Sequence, residues 1–142
     1  MKPSIVFDMG QVLMDFAPPK FIERLGYTGD DARSLLAEVF RGWEWVAFDR
    51  GVITGQDVVN SACSRLPQRL HKAAQELVFH WWDEMIPMPG AKELVTELHD
   101  KGYDMYVLSN ASPDFHKYFD SIPGSEYLPK ERRFVSSDCK LL

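Results

Sequence analysis

The sequence has few cysteines, no long apolar run and no concentration of basic residues. Its two cysteines, Cys63 and Cys139, lack CxxC spacing, which argues against a disulfide framework or a zinc site. We expect two small buried thiols in a reducing, cytoplasmic setting. No apolar run approaches a membrane span, and Asp8 interrupts the short N-terminal run, so neither a membrane partner nor a signal peptide is expected.

Basic residues form no stripe along the chain. The net charge is −5, and the densest basic cluster, Lys130-Glu131-Arg132-Arg133, contains its own acid. Nucleic acid is therefore not expected as a partner. An acidic protein can still bind a phosphorylated metabolite if a cation neutralises the site. Apolar residues make up 45% of the chain and charged residues 26%, which indicates a packed globular domain.

The first stretch that carries structure is a continuous apolar run, Ile5-Val6-Phe7, followed by Asp8 and Gly10. A run without alternation predicts a strand buried on both faces of a parallel sheet. Ligands of open α/β sheets bind beyond the carboxyl ends of the strands. Asp8 is thus expected at the rim of such a crevice, as a nucleophile toward phosphoryl groups, a metal ligand, or both. The alternative is that Asp8 only ends the strand.

The middle of the chain has helical periodicity and no good strand. Thr54-Gly55-Gln56-Asp57 predicts a capping box, and a later helix is predicted over residues 68–84, which contains Trp81 and Trp82. We interpret this Trp pair as packing between domains rather than as a ligand cage. Prolines and glycine in Met85-Ile86-Pro87-Met88-Pro89-Gly90 end this helical part.

The last third returns to an α/β pattern. A helix over residues 91–98 leads to a strand over residues 103–108, parallel to the first, and Arg133 to Ser137 predict a third strand. The predicted fold class is α/β, an incomplete Rossmann-like parallel sheet of about three strands with an inserted α-helical cap. Residues 1–16 and 86–142 form the α/β core, and residues 17–85 form the helical cap.

Polar groups follow two neighbouring predicted strands. Asp8 ends the first strand, and Ser109 and Asn110 end the second. A hydroxyl and backbone N–H groups can hold phosphate oxygens, and the amides of Met9 and Gly10 can do the same beside Asp8. This arrangement suits in-line attack by a carboxylate on a phosphoryl group, with Mg²⁺ bound by Asp8 and a backbone carbonyl.

Four segments in this order resemble the haloacid dehalogenase (HAD) superfamily, in particular its helical-cap, phosphatase-like branch. The segments are Ile5 to Leu13, Asp49 to Thr54, Pro87 to Ala91 and Val107 to Asn110. The resemblance implies a Rossmann-like core, a mobile helical cap and an Mg²⁺-dependent aspartyl-phosphate mechanism.

The resemblance also implies individual roles. Asp8 would be the nucleophile and a metal ligand, and the backbone carbonyl of Gly10 would face the metal. Ser109 would bind the transferred phosphoryl group, with help from the backbone of Asn110. Most family phosphatases carry an acid–base aspartate two residues after the nucleophile, where this chain has Gly10. The proton for the leaving group would then need another source.

The family's phosphate-binding lysine and its acidic metal motif are expected after the third strand, and the chain ends at Leu142 before them; Lys140 lies a few residues too early. We therefore expect an incomplete form of a longer enzyme, or a homodimer or partner chain that completes the sheet beside the first strand.

The expected function is a phosphatase acting on a small phosphorylated metabolite. Two alternatives stay open: a non-catalytic interaction protein of the same fold, and a carbon–halogen hydrolase, since dehalogenating members also lack the acid–base aspartate.

Overall fold

Three short parallel strands form one sheet in the order β1-β2-β3. The computed structural model describes residues 2–83 and 85–141. The strands are β1 (Ile5–Phe7), β2 (Met105–Ser109) and β3 (Arg133–Val135). Phe7 lies opposite Val107, and Ser109 lies opposite Val135. The parallel arrangement of the first two strands is confirmed, and their carboxyl ends meet at one edge of the sheet.

Helices fill the chain between β1 and β2. They are α1 (Pro18–Arg24), α2 (Gly29–Leu35), α3 (Trp43–Asp49), α4 (Gly55–Arg65), α5 (His71–Phe79) and α6 (Ala91–Asp100), with a π-helical turn at Leu36–Phe40 and a 3₁₀ turn at Gln68–Leu70. The capping box at the start of α4 is confirmed: the Thr54 hydroxyl accepts a hydrogen bond from the Asp57 amide, and the Asp57 carboxylate accepts one from the Thr54 amide. The domain boundaries stay a prediction.

The region after β2 is built from short helical turns. It contains α7 (Phe115–Tyr118), 3₁₀ turns at Phe119–Ser121, Ser125–Tyr127 and Lys130–Arg132, and α8 (Ser136–Cys139) after β3. The helical part packs on this region through aromatic rings. Phe16 and Trp81 have ring centroids 5.0 Å apart, and Trp81 and Tyr118 5.2 Å apart. Among residues 2–83 and 85–141, no helix is both long and apolar enough to cross a membrane.

The expectation that the first strand is buried on both faces is wrong for this structure. Val6 is 58% exposed, and its neighbours on the same face, Leu108 and Phe134, are 61% and 49% exposed. The other face of the sheet carries buried Phe7 and Val107. Within the described part of the chain, helices cover only that second face. The strands therefore alternate between buried and exposed residues although their sequence does not alternate in polarity.

Three local predictions need correction. The third strand ends at Val135 rather than Ser137 because the chain turns into α8 at Ser136, whose hydroxyl bonds to two other segments. The helix predicted over residues 68–84 is helical only to Phe79; a turn follows that buries Trp81, and position 84 lies outside the described residues. Neither cysteine is fully buried as predicted: Cys63 is half-buried, and Cys139 is exposed because α8 lies at the surface.

Candidate functional site

Asp8 and Ser109 meet at the carboxyl edge of the sheet. Asp8 directly follows β1, and Ser109 is the last residue of β2. Their side chains are joined by a hydrogen bond of 3.1 Å from the Ser109 hydroxyl to Oδ1 of Asp8. The backbone amide of Met9 donates to the same oxygen at 2.7 Å. Both groups are therefore on one side of the sheet and within the span of one bound phosphate, as predicted.

A tight turn follows Asp8 and shapes the floor of the site. The Met9 carbonyl accepts hydrogen bonds from the amides of Leu13 and Met14 at 2.9 and 3.1 Å, and Gln11 has a φ of +60°. The Met9 side chain is buried in the core, and its amide is engaged by Asp8. Gly10 lines the adjoining cavity, so its backbone borders the space beside the carboxylate.

The loop after β2 forms the opposite rim. Asn110 is exposed and lines the same cavity. The next amide, that of Ala111, donates to the Ser136 hydroxyl at 3.0 Å. This bond holds the loop in place, and it also commits the Ala111 amide to the protein.

These groups surround a cavity of about 160 Å³. Pockets for drug-sized ligands are usually larger, about 300–1,000 Å³, so this cavity suits a compact molecule. Asp8 and Ser109 contribute polar groups to the cavity wall, which also contains four aromatic side chains. The aromatic lining residues are Phe16, Trp45, Trp81 and Tyr118.

Asp49, at the end of α3, brings a second carboxylate to the cavity wall. Burial raises the pKa of Asp49 to about 7, and interactions with the Ser112 backbone and the Trp45 side chain offset this only in part. Burial also raises the pKa of Tyr118, and the charges of Asp49 and Asp114 raise it further. Tyr118 therefore keeps its proton in the physiological range, whereas Asp49 can exchange its proton near neutral pH.

The predicted metal ligands were Asp8 and the backbone carbonyl of Gly10. Within the described residues, no group of three or more His, Cys, Asp or Glu side chains could hold a metal ion. Magnesium needs no such cluster, because it keeps several waters and is often bound by one or two carboxylates plus substrate phosphate. Both hydrogen bonds described for Asp8 end on Oδ1, so neither of them occupies Oδ2, the oxygen that could face a metal ion. The donors present thus fit Mg²⁺, and their assignment stays a prediction.

No family model and no curated protein matches the chain, but solved structures do. A dehalogenase crystal structure aligns with a TM-score of 0.64 at 17% identity over 98% of this chain and 64% of its own. The putative HAD-hydrolase YfnB from Bacillus subtilis, bound to magnesium, aligns with a TM-score of 0.64 at 21% identity over 95% of this chain and 65% of its own. The chain has a HAD-like fold.

A third structure with a HAD-like fold contains a bound metal ion and a bound phosphate. The HAD family enzyme bt-2542 from Bacteroides thetaiotaomicron, in complex with magnesium and inorganic phosphate, has a TM-score of 0.60 at 16% identity over all of this chain and 72% of its own. At such identities the likeness establishes the fold alone. The chain also spans less than two thirds of the length of the first two structures.

Sequence reasoning assigned no role to several residues that line the site. Asp49 was noted only as part of the segment that resembles the HAD superfamily, and no role was predicted for Phe16, Trp45 or Tyr118. Trp45 is buried and lines the cavity. Spacing could not show that Asp49 faces the same cavity as Asp8, because the two residues are remote in the chain.

Proposed function

We propose that this HAD-like chain is a Mg²⁺-dependent hydrolase that removes the phosphoryl group from a small phosphorylated metabolite through an aspartyl-phosphate intermediate. The observation that carries the proposal is the 3.1 Å contact between the Ser109 hydroxyl and the Asp8 carboxylate at the mouth of a small cavity. A nucleophile and a hydroxyl donor at this distance can hold the same phosphoryl group.

The geometry supports the following roles. Asp8 attacks phosphorus, and the Ser109 hydroxyl moves its hydrogen bond from Asp8 to a phosphoryl oxygen. Exposed Asn110 supports this oxygen through its backbone, and the backbone of Gly10 borders the cavity beside the carboxylate. The Met9 amide donates to Asp8 in the free protein and helps to orient the carboxylate. Bound Mg²⁺, held by Asp8 and the Gly10 carbonyl, would neutralise the phosphoryl charge. The small cavity supports a compact leaving group.

A carbon–halogen hydrolase is the second candidate. The side chain of Asp8 could attack a carbon atom as well as phosphorus, and the aromatic wall formed by Phe16, Trp45, Trp81 and Tyr118 suits a small, partly apolar substrate. Two of the similar structures are dehalogenases. Against it, the hydroxyl of Ser109 and the backbone amides around Asp8 favour an oxygen-rich group such as phosphate.

The test is release of inorganic phosphate from an aryl phosphate with Mg²⁺, run beside release of halide from a 2-haloacid. We expect phosphate release from the 142-residue chain and its loss in Asp8→Asn, which keeps the size of the side chain but not its nucleophile. Asp100→Asn, at an exposed site on α6, is the matched control and should behave as wild type.

Halide release with no phosphate release would replace the proposal with the second candidate. A folded chain that releases neither product would support the non-catalytic alternative, and an active Asp8→Asn variant would refute the nucleophile assignment.

The proposal includes a reducing, cytoplasmic location. Both cysteines are free, which supports it.

A further inference from the structure

The proposed reaction needs a general acid, and this chain lacks one at the position where most HAD phosphatases carry it. A carboxylic acid two residues after the nucleophile could protonate the departing oxygen, but this chain has Gly10 there. An alkoxide is a poor leaving group, so hydrolysis of an alkyl phosphate needs a proton donor beside the broken bond. The donor must come from another part of the cavity wall.

Three titratable side chains line the cavity: Asp8, Asp49 and Tyr118. Asp8 is engaged as the nucleophile. The Tyr118 phenol is a poor acid here, because burial and the nearby charges of Asp49 and Asp114 raise its pKa. Asp49 is therefore the cavity carboxyl that is free to exchange a proton during turnover.

We infer that Asp49, supplied by the helical cap, is the general acid and base of the reaction that Asp8 begins. This inference rests on the proposed function. It assigns the substrate class as well, since a proton donor matters for phosphate esters of simple alcohols more than for those of acidic phenols.

The position of Asp49 is set by contacts between the cap and the core. The Ser136 hydroxyl donates to the Asp49 backbone carbonyl at 2.6 Å, and the guanidinium Nε of Arg50 donates to the Lys140 carbonyl at 2.8 Å. Gly51 packs so closely that a Cβ there would lie 2.7 Å from the Ser137 carbonyl oxygen. The end of α3 is thus attached to α8 at three successive residues, which holds the carboxyl group of Asp49 against the cavity.

The proton balance of the two steps can be written with these groups. In the first, an Asp8 oxygen bonds to phosphorus, the bond from phosphorus to the alcohol oxygen breaks, and that oxygen takes the proton of Asp49. In the second, Asp49 as carboxylate takes a proton from water while the water oxygen bonds to phosphorus. The bond from phosphorus to Asp8 then breaks, so both carboxyl groups return to their starting states and the net reaction consumes one water.

The ionisation of Asp49 agrees with this cycle. Burial raises the pKa of Asp49 to about 7, close to the value at which a group both gives and takes protons near neutral pH. Its neighbours in the cavity wall that can carry a charge are Asp8 after β1 and Tyr118 in α7. Tyr118 keeps its proton near pH 7, and burial is the main cause of the raised pKa of Asp49.

The experiment compares Asp49→Asn with wild type on two substrates, an alkyl phosphate and an aryl phosphate with an acidic phenol. We expect kcat/KM for the alkyl phosphate to fall about 10²–10⁴-fold. With the aryl phosphate we expect a burst of about one equivalent of phenol followed by slow turnover, because the first step needs no acid while the second still needs a base.

Two further measurements make the result decisive. Wild type should lose activity on the alkyl phosphate as pH rises above about 7, with a weaker loss in the burst on the aryl phosphate. This pH profile needs no variant and stands even if Asp49→Asn fails to fold.

Glu44→Gln is a control that changes another acid on α3. The buried Glu44 carboxylate bonds Ser61 and Arg65 outside the cavity. This substitution can lower stability, but it should leave the ratio of kcat/KM for the alkyl phosphate to kcat/KM for the aryl phosphate unchanged.

The failures are distinguishable. If wild type hydrolyses neither substrate, the proposed function fails, and the role of Asp49 with it. If wild type is active and Asp49→Asn slows both substrates equally without a burst, Asp49 is only a structural contact and the inference is overturned.

Discussion

The Ser136 hydroxyl donates a hydrogen bond of 2.6 Å to the backbone carbonyl of Asp49 and accepts one of 3.0 Å from the amide of Ala111. One side chain therefore joins the helix that ends at Asp49, the loop after β2 and the start of α8. Because Asp49 and Ala111 both line the cavity, this junction sets the distance between the two sides of the site.

Ser109→Ala is expected to lower kcat/KM for phosphate esters by about 10- to 100-fold, since a hydrogen bond to a charged group is worth roughly 1.5–3 kcal/mol. The variant loses the hydroxyl that bonds Asp8 in the free protein. Steady-state kinetics with Mg²⁺ measure the effect.

Ser137→Ala is the matched control for Ser109→Ala. Both serines are buried, but the Ser137 hydroxyl has no hydrogen-bond partner within the described part of the chain. Its removal should leave kcat/KM unchanged. Equal losses in the two variants would indicate a general effect of removing buried hydroxyls rather than a role for Ser109.

Gly51→Ala is expected to destabilise the protein by about 2 kcal/mol or more, because a side chain at positive φ costs roughly 1–2 kcal/mol and a clash adds to it. Gly51 has a φ of +70°, and its Cβ would lie 2.7 Å from the Ser137 carbonyl oxygen. Urea unfolding measures the loss.

Gly26→Ala separates the two causes. Gly26 also has a positive φ, +83°, but nothing lies within 4 Å of its added Cβ. This control should lose only the backbone cost, about 1–2 kcal/mol. If Gly51→Ala loses no more than Gly26→Ala, the approach of Gly51 to Ser137 is loose enough to accept a methyl group.

Stability should depend on the ionisation of Asp49. Its pKa is raised from 3.8 to about 7 in the folded protein, so folding favours the protonated form. The contribution is fully present below pH 3.8, declines as pH rises and is lost above about pH 7. At ~1.4 kcal/mol per pKa unit, the full change is roughly 4 kcal/mol.

The measurement is the free energy of unfolding of wild type and Asp49→Asn between pH 5 and pH 8. We expect the wild type to lose stability relative to the variant across this range, because only the wild type must ionise a buried carboxyl. A constant difference between the two proteins would show that Asp49 titrates at its ordinary value.

The exposed face of the sheet predicts self-association through the edge strand β1. Val6 lies on this edge and is 58% exposed. Val6→Lys should raise the dissociation constant at least about tenfold, because a lysine on an edge strand discourages strand pairing. Trp43→Lys, which changes another exposed apolar residue at 69% exposure, should not.

Sedimentation velocity over a range of concentrations measures this association. A wild-type chain that stays monomeric at every concentration would contradict the expectation that a second copy completes the sheet.

Much of the candidate site follows from local patterns. The apolar run before Asp8 and the strand before Ser109 predict where each side chain leaves the sheet, and the parallel arrangement places both at one edge. The capping box at Thr54 was predictable for the same reason: its hydrogen bonds join residues three apart in the chain.

Burial and distant contacts could not be predicted in this way. Val6 has the sequence of a strand covered on both sides, yet one face of the sheet is open, because coverage depends on where helices pack. Ser136 was assigned to a strand, since its partners Asp49 and Ala111 are remote in the chain.

The sequence by itself determined the order of strands and helices, the polar residues at the two strand ends and the resemblance to the HAD superfamily. These features depend on neighbouring residues and their periodicity. The tertiary structure alone decided that Asp49 joins Asp8 at one cavity, that aromatic rings close its wall and that the pKa of Asp49 is raised. Such properties arise from desolvation and from contacts between segments far apart in the chain, which no local pattern encodes.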